Sequence, residues 1–283
     1  SGYLGILPAN DVSVERFAEC FTDIMREADL PELLEDWLVT RVDLCVNLDC
    51  GESEAAKELN RLAHKGMTPA KYRRVEYSSN SLSAQKLREK QKHYLCFKSG
   101  SSSLVIYDKK YQMTEEGLIT GYDRLTNSIL RVELQTSNSF LRRFQEKQKI
   151  DTRDTAGLLQ ALILNGDVLI LKRLRKSIPY GVHYKPNRLR YEISLLHYHA
   201  DTIKQMQTLA EYAYTSTTFD DAVRKTKKRY ALSEKEMKLL LRRFQDSNIS
   251  PIPLRGNFSN DCLPSLTSLL TKLAEDDCTE IDF

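Results

Sequence analysis

One tyrosine is placed where it could attack a phosphodiester. Tyr107 ends the apolar run of residues 104–106 and is followed at once by Asp108 and Lys109. A tyrosine hydroxyl can attack phosphorus and hold a covalent phosphotyrosyl intermediate. A tyrosine at the end of an apolar strand can equally be an ordinary core residue. The stretch by itself leaves both interpretations open.

Two other stretches carry an arginine two residues before an acid. Arg41 precedes Asp43, and Arg131 precedes Glu133, each time within an alternating apolar pattern. A charged pair in the middle of a strand is unfavourable unless it is paired, solvated or bound to a metal. Each pair therefore marks a possible site, or else a structural network that ties strands together.

The elements that must position these residues are strands. Alternation and β-branched content predict strands over residues 38–49, 93–97, 104–109 and 128–135, the middle two forming a hairpin around a Ser/Gly turn. The alternation places the arginine and acid of each pair on the face opposite the apolar one, and places Lys109 beside Tyr107. We expect Tyr107, Asp43 and Glu133 to share one face of a single sheet.

The remaining pattern is mainly helical. Apolar spacing predicts helices over 13–34, 52–65, 140–149, 151–165, 168–176, 193–214, 219–229, 233–246 and 263–273, followed by an acidic, mobile tail over 275–283. Residues 68–92 are expected to be a loop with one strand or short helix, and 117–124 a polar connection. Ser233 and Glu236 form a capping box at the start of one helix.

The predicted class is therefore α+β, an antiparallel sheet flanked by helices and followed by a mainly helical C-terminal part. A composition shift near residue 150 suggests a boundary between domains at 1–150 and 151–283.

Composition narrows the class further. The 283 residues are 41% hydrophobic, enough for a real core, and carry a net charge of +3. Six dispersed cysteines without a C-x-x-C pair fit a reduced cytoplasm. The longest apolar run, 158–164, is shorter than the roughly 20 residues a membrane span needs, so we expect a soluble protein without a membrane partner. A start at Ser1-Gly2 suggests a tag remnant or an internal start.

Taken in order, R-x-D, then L-V-x-Y-x-K, then L-R-x-E followed by a basic helix, the chain resembles rolling-circle replication initiators. The resemblance is to the filamentous-phage initiator type and to the related initiators of Gram-positive plasmids and integrative elements. It covers residues 38–144, with weaker similarity through 253. The chain lacks a His-hydrophobic-His pair before the tyrosine, which leaves a third metal ligand unassigned, with His93 as the first candidate.

The resemblance implies site-specific nicking of one origin strand and re-joining through a phosphotyrosyl intermediate. It makes Tyr107 the nucleophile, with Tyr94, Tyr111 and Tyr122 as reserves. Asp43 and Glu133 become ligands of Mg²⁺ or Mn²⁺, and Lys109 a partner of the phosphate or leaving group. A divalent cation would neutralise the phosphodiester oxygens. Expected partners are single-stranded or supercoiled origin DNA and a host helicase and polymerase, in the cytoplasm of a bacterial cell.

Basic groups could line a DNA path or be solvated helix faces. The candidates are Arg41, Arg131, Arg142, Arg143, Lys172, Arg173, Arg175, Lys185, Arg188 and Arg190. Helices 219–229 and 233–246, joined by a short turn, could form a helix-turn-helix. The pair His197 and His199 lies within a predicted helix, where residues two apart point away from each other and could not share a metal. A different class of function, a non-catalytic DNA-binding regulator on the same scaffold, also fits the sequence.

Overall fold

A five-stranded antiparallel sheet organises the first half of the chain. The structure is a computed structural model that describes residues 11–50, 53–78, 82–117 and 128–279. The strands follow the order β1-β5-β4-β3-β2, and every neighbouring pair is antiparallel. Their bounds are β1 Asp43–Asp49, β2 Arg73–Val75, β3 Tyr94–Lys98, β4 Ser102–Asp108 and β5 Ile129–Thr136. The predicted antiparallel sheet and its β3–β4 hairpin are confirmed.

One face of the sheet is apolar because each strand alternates. Leu104 and Ile106 of β4 and Leu134 of β5 are fully buried on this face. Helices α2 (Ser53–Lys65) and α6 (Thr155–Leu174) contact the sheet strands. Leu59 of α2 and Leu162 of α6 join the same core cluster as those strand residues. The opposite face carries the polar side chains described below.

The other elements surround and extend this unit. Their bounds are α1 Asp11–Glu27, a 3₁₀ turn Leu34–Asp36, α3 Ala84–His93, α4 Lys109–Glu115, α5 Asn138–Gln148, β6 Val182–Tyr184, α7 Pro186–Ser194, α8 Ala200–Thr215, α9 Phe219–Tyr230, α10 Glu234–Asp246, β7 Cys262–Pro264 and α11 Leu266–Thr279. Strands β6 and β7 pair with each other in a separate two-stranded ladder. Within the described residues, the chain beyond residue 150 is mainly helical, as predicted.

Two apolar cores meet at helix α2. The first lies under the sheet and includes residues of α6 and α11, so elements on both sides of residue 150 contribute to it. The second is built mainly by α7 to α10. Leu59 of α2 belongs to the first core and Leu62 to the second. The domain division near residue 150 remains a prediction.

Two strand predictions near the motifs were wrong in extent. The strand expected from residue 38 begins at Asp43, so Arg41 lies just before β1. The strand expected to end at Lys109 ends at Asp108, because the Asp108 carboxylate accepts from the Tyr111 backbone N–H at 2.9 Å and caps helix α4. Lys109 is therefore the first residue of a helix, and it does not share a strand face with Tyr107.

Several helix boundaries also differ from those predicted. The two helices expected over 151–165 and 168–176 are the single helix α6, since Gly166 is tolerated inside it. The helix expected over 193–214 is instead α7 and α8, separated by a loop that ends at His199, whose ring accepts from the Asp201 N–H and caps α8. Residues 68–92 contain both a strand and a helix. The helix expected over 263–273 is α11, which continues through Thr279 into the expected tail.

The polar connection expected over 117–124 and the end of the expected tail fall largely on residues 118–127 and 280–283, which lie outside the described residues.

Helix α6 is long and apolar enough to cross a membrane by length and composition alone. It qualifies although polar Asn165 and Asp167 divide its two apolar halves. Leu158, Leu162, Ile170 and Leu174 are buried in the core under the sheet. Among the described residues it is the one helix that meets this criterion, and the same criterion is met by core helices of soluble proteins.

Candidate functional site

The polar face of the sheet brings the motif residues together through strand register. Tyr107 of β4 lies opposite Arg131 of β5, and Glu133 lies opposite Val105, two residues before Tyr107. On the other side of β5, Asp43 of β1 lies opposite Gln135, two residues after Glu133. Because directly opposed residues share a face and side chains alternate, Tyr107, Glu133 and Asp43 lie on one face. This is the arrangement that the alternation predicts.

Tyr107 and Glu133 are in direct contact. The Tyr107 hydroxyl donates a hydrogen bond to Glu133 Oε1 at 2.8 Å. Arg131 Nη1 lies 3.5 Å from the Tyr107 oxygen and 3.7 Å from Glu133 Oε1. Arg131 is itself oriented by a 2.7 Å bond from its Nε to Asn47 Oδ1 on β1. The phenol therefore has a carboxylate placed to accept its proton and a guanidinium beside its oxygen.

Electrostatics keep the phenol protonated in the resting site. Burial raises the pKa of Tyr107 well above the ordinary value of a tyrosine, and the nearby charge of Glu133 raises it further. The charge of Arg131 lowers the pKa of Tyr107, but by less than burial and Glu133 together raise it. A phenolate would thus form only when a base or an additional cation assists, which is a usual requirement for an activated nucleophile.

Asp43 lies apart from this contact, at the edge of the sheet. Its carboxylate accepts two hydrogen bonds from Arg41, from Nε at 2.8 Å and from Nη2 at 2.6 Å. Both partners are exposed. The hydrogen bonds that Arg41 donates to Asp43 raise the pKa of Arg41, with the carboxylate charge as the next cause. Gln135, which lies opposite Asp43 in the strand register, donates from Nε2 to Glu133 Oε2 at 3.3 Å.

The donor set does not form a divalent-cation site as it stands. Asp43 is held by a guanidinium, and Glu133 by the Tyr107 hydroxyl and the Gln135 amide. Among the residues that the structure describes, no group of three His, Cys, Asp or Glu side chains is arranged to hold a metal ion. His93, the candidate third ligand, directs its ring nitrogens toward Asp108 and Glu89.

Lys109 lies near the site but is held by its own helix. Its Nζ donates to Gln112 Oε1 at 3.0 Å. Burial lowers the pKa of Lys109, the charge of Arg131 lowers it further, and Glu116 and Glu133 partly offset both. A lysine with a lowered pKa gives up a proton more readily than an ordinary one.

Tyrosine rings line a pocket of about 340 Å³ over the polar face. The rings of Tyr77 and Tyr94 meet edge to face at 5.5 Å, and those of Tyr94 and Tyr107 are 6.5 Å apart. Lys90 Nζ lies 4.7 Å from the centre of the Tyr77 ring. Tyr111 of α4 contributes a fourth ring. A pocket with several aromatic walls and a cation suits flat, anionic ligands such as nucleotides.

His93 and Asp108 form a second polar contact in the wall of this pocket. His93 Nδ1 lies 3.4 Å from Asp108 Oδ2, and the His93 ring stacks on Tyr111 at 4.0 Å. Burial opposes ionisation of Asp108, but the contact with His93 and the Tyr111 N–H outweigh it, so the pKa of Asp108 is lowered. This role of Asp108 was not predicted from the sequence. Its position as an N-cap, Asp before a short helical pattern, was the available signal.

The predicted DNA-binding residues lie on several different elements, and most of them contact other residues of the protein. Arg41 and Arg131 are engaged as described, Arg173 donates to the Tyr72 hydroxyl, and Lys185 pairs with Asp261. Arg188 pairs with Glu192, Arg175 donates to Thr271 and Arg143 to the Ser139 carbonyl. Arg142, Lys172 and Arg190 are exposed on α5, α6 and α7.

The His197 and His199 pair lies in the loop between α7 and α8, not inside a helix. Both side chains are exposed. His199 Nδ1 accepts from Asp201 N–H at 3.4 Å, which commits one ring nitrogen to helix capping. The predicted helix over 193–214 was therefore wrong at these two residues, and the argument from helix geometry that His197 and His199 cannot share a metal does not apply to them.

No protein-family model matches the chain, and no curated protein or solved structure was found to be similar to it.

Proposed function

We propose that the protein nicks one strand of DNA through a covalent bond to Tyr107 and later re-joins it, as a rolling-circle replication initiator does. The observation that supports this most is the 2.8 Å hydrogen bond from the Tyr107 hydroxyl to Glu133, with Arg131 alongside. The pocket wall thus includes a hydroxyl and a carboxylate that can accept its proton, with the Arg131 guanidinium beside them.

In the proposed step, Glu133 takes the proton of Tyr107 as the phenol oxygen attacks phosphorus. A bond forms between that oxygen and phosphorus, and the bond from phosphorus to the leaving deoxyribose oxygen breaks. Arg131 stabilises the charge that develops on the phosphoryl oxygens. Lys109, whose pKa is lowered, protonates the leaving oxygen. Re-joining is the reverse, with a sugar hydroxyl attacking the phosphotyrosyl bond.

The pocket favours single-stranded DNA as the substrate of this step. Bases that are free of a duplex can stack on exposed faces of tyrosine rings, a contact worth about 1–3 kcal/mol per base. Tyr77, Tyr94 and Tyr111 lie beside Tyr107 in the pocket. A strand whose bases stack there would bring its phosphate toward the Tyr107 oxygen.

A requirement for Mg²⁺ or Mn²⁺ is a separate proposal, which rests on the resemblance to rolling-circle initiators. Asp43 and Glu133 would hold the cation, which would neutralise the scissile phosphate, but Arg41 would first have to release Asp43. The step described above does not depend on it. Adduct formation measured in Mn²⁺ and in EDTA tests this requirement directly.

Two observations favour the alternative, a DNA-binding regulator that does not cut. The pKa of Tyr107 is raised, and each acid contacts the arginine of its own motif. Such a network also holds strands in register without any chemistry.

The test is covalent capture of DNA. The full chain is incubated with end-labelled single-stranded oligonucleotides of random sequence and with supercoiled DNA of its source element, and detergent-resistant adducts are separated by electrophoresis. We expect an adduct with the wild type and none with Tyr107→Phe.

Matched controls come from the same pocket. Tyr94→Phe and Tyr111→Phe remove a hydroxyl from neighbouring rings and should leave the adduct in place. An adduct that persists in Tyr107→Phe would contradict the assignment, and sequence-specific binding with no adduct in any variant would favour the regulator.

A further inference from the structure

Helices α9 and α10 are joined by a tight turn. Only residues 231–233 separate the helices. Ala231 adopts a left-handed conformation, with φ 51° and ψ 37°. Leu232 follows, donates its N–H to the Lys227 carbonyl and packs on the second core. Ser233 then starts α10 with a complete capping box. Helix-turn-helix units join their two helices by turns of this length, often with glycine at the left-handed position.

Helix α8 packs against both α9 and α10. Phe219 of α9, Met237 of α10 and Met206 of α8 are all buried in the second core. This shared packing fixes the three helices as one unit, so that one side of α10 is held inward. The other side of α10 is exposed.

The outward side of α10 is basic. Lys235, Lys238, Leu239 and Arg242 are exposed and fall on one side of the helix, opposite the buried Met237. Asp246, one turn beyond Arg242, lies on the same side and pairs with it at 3.7 Å, so this side carries three cations against one acid. Residues 219–246 contain nine Lys or Arg and five Asp or Glu. An exposed leucine among basic residues suits a duplex groove, where it can contact a thymine methyl while the cations contact phosphates or guanine.

A second basic element lies next to α10. Arg175 and Lys176 follow the end of α6 and are exposed. Together with Lys238 and Arg242 they line a groove of about 500 Å³. If α10 entered a groove of a duplex, Arg175 and Lys176 would lie beside it, where they would contact the phosphates of the adjacent strand.

We infer that α8, α9 and α10 form a helix-turn-helix unit that binds double-stranded DNA with α10 in the major groove. The sequence reader is Lys235, Lys238, Leu239 and Arg242, and the phosphate contacts come from Arg175 and Lys176. This duplex-binding surface is distinct from the tyrosine-lined pocket, and the inference does not require that Tyr107 cuts DNA.

The experiment selects bound sequences. The full chain is mixed with duplexes that carry 20 random base pairs, bound molecules are amplified over several rounds, and the products are sequenced. We expect one enriched sequence, bound with a strong salt dependence. Lys235→Ala with Arg242→Ala should weaken binding to that duplex by about 10-fold or more and flatten the salt dependence.

The matched control is Arg16→Ala with Arg153→Ala, which removes the same charge from exposed positions on α1 and before α6. It should bind the selected duplex like the wild type. Thermal melting checks that both variants fold, as expected for exposed side chains.

Three results would overturn the inference: no enriched sequence, equal binding by the α10 variant and the control, or full competition by the single strand of the selected sequence. Tyr107→Phe separates this question from nicking. It should bind the selected duplex normally even if the wild type never forms an adduct.

Discussion

At the scale of single residues, the proposal depends on which group accepts the proton of Tyr107. Glu133 is the carboxylate in contact with that hydroxyl, whereas Asp43 is bound by Arg41 at the sheet edge. The two acids were equivalent in the sequence, each two residues after an arginine. The structure separates them because β5 lies beside β4, while β1 lies on the far side of β5.

Glu133→Gln should keep the shape of the site and remove the base. The amide oxygen can still accept from the Tyr107 hydroxyl, but it cannot take the proton, so adduct formation should slow by about 10²–10⁴-fold. The measurement is the initial rate of adduct formation over a series of time points. Cys45→Ser, directly opposite Glu133 on β1, is the control and should retain the wild-type rate. A Glu133→Gln rate equal to that of Cys45→Ser would exclude Glu133 as the base.

His183 makes stability depend on pH. Its side chain is fully buried, and burial lowers its pKa to about 4, although the contact with the Ile252 carbonyl acts in the opposite direction. The unfolded chain takes up a proton near the ordinary value of 6.5, before the folded chain does. Stability should therefore be constant above pH 6.5 and fall between 6.5 and 4, by about 1.4 kcal/mol per pH unit from this group.

Urea unfolding at pH 7 and pH 5 measures this effect. His183→Gln lacks the titrating group and should lose less free energy of unfolding between the two pH values than the wild type, whatever its stability at pH 7. An equal loss in both proteins would show that His183 is not responsible.

At the scale of elements, the sequence predicted correctly those strands, turns and helix starts that are determined by a few neighbouring residues. The β3–β4 hairpin, the polar face of β5 and the start of α10 were all predicted because alternation, turn residues and a capping box encode them directly. The predicted element boundaries were wrong where a single capping side chain ends one element and starts the next. Asp108 ends β4 by capping α4, and His199 divides a periodic apolar pattern by capping α8.

The site was predictable to a similar degree. Alternation was sufficient to expect Tyr107, Asp43 and Glu133 on one face. The order of strands in the sheet was not encoded in any one stretch, so the contact of Tyr107 with Glu133 and the separation of Asp43 could not be predicted. The tyrosine-lined pocket also depends on α3 and α4. Helix α3 falls in the stretch that was expected to be a loop with one strand or short helix, and of α4 only Lys109 was predicted, as the end of a strand.

The capping box of α10 offers a test at this scale. Ser233 Oγ accepts from the Glu236 N–H, and Glu236 Oε2 accepts from the Ser233 N–H at 2.7 Å. Ser233→Ala removes the hydroxyl that accepts from the Glu236 N–H and donates to Glu236 Oε2, and should lower the free energy of unfolding by about 1 kcal/mol. Ser259→Ala, at an exposed position outside any helix, should cost little. Equal urea midpoints for the two variants would contradict the stabilising role of the box.

At the scale of the whole molecule, α2 joins the two cores through a buried acid. Glu58 is fully buried and accepts from Arg61 at 2.7 Å and from the Arg255 backbone N–H at 2.8 Å. Burial opposes its ionisation, but Arg61 and Arg255 outweigh burial, and the pKa of Glu58 is lowered. Lys65, on the same helix, donates to the Ala213 and Tyr214 carbonyls at the end of α8.

Glu58→Ala should therefore destabilise the molecule strongly. Removal of one partner of a buried ion pair leaves the other charge uncompensated and costs about 3–5 kcal/mol. Glu54→Ala is the control on the same helix, because its contacts with Lys57 and Arg255 are exposed and each worth about 1 kcal/mol or less. Urea unfolding measures both, and a similar loss in the two variants would contradict the account of how α2 joins the cores.

The proposed function depends on one covalent bond, between the Tyr107 oxygen and a phosphate of DNA. The adduct formed with single-stranded DNA is digested with nuclease and trypsin, and the peptide that keeps a nucleotide is identified by mass spectrometry and fragmented to locate the modified residue. We predict a phosphodiester-linked nucleotide on Tyr107. A nucleotide on Tyr94, Tyr111 or any other residue, or no modified peptide from a reaction that has nicked its DNA, would contradict it.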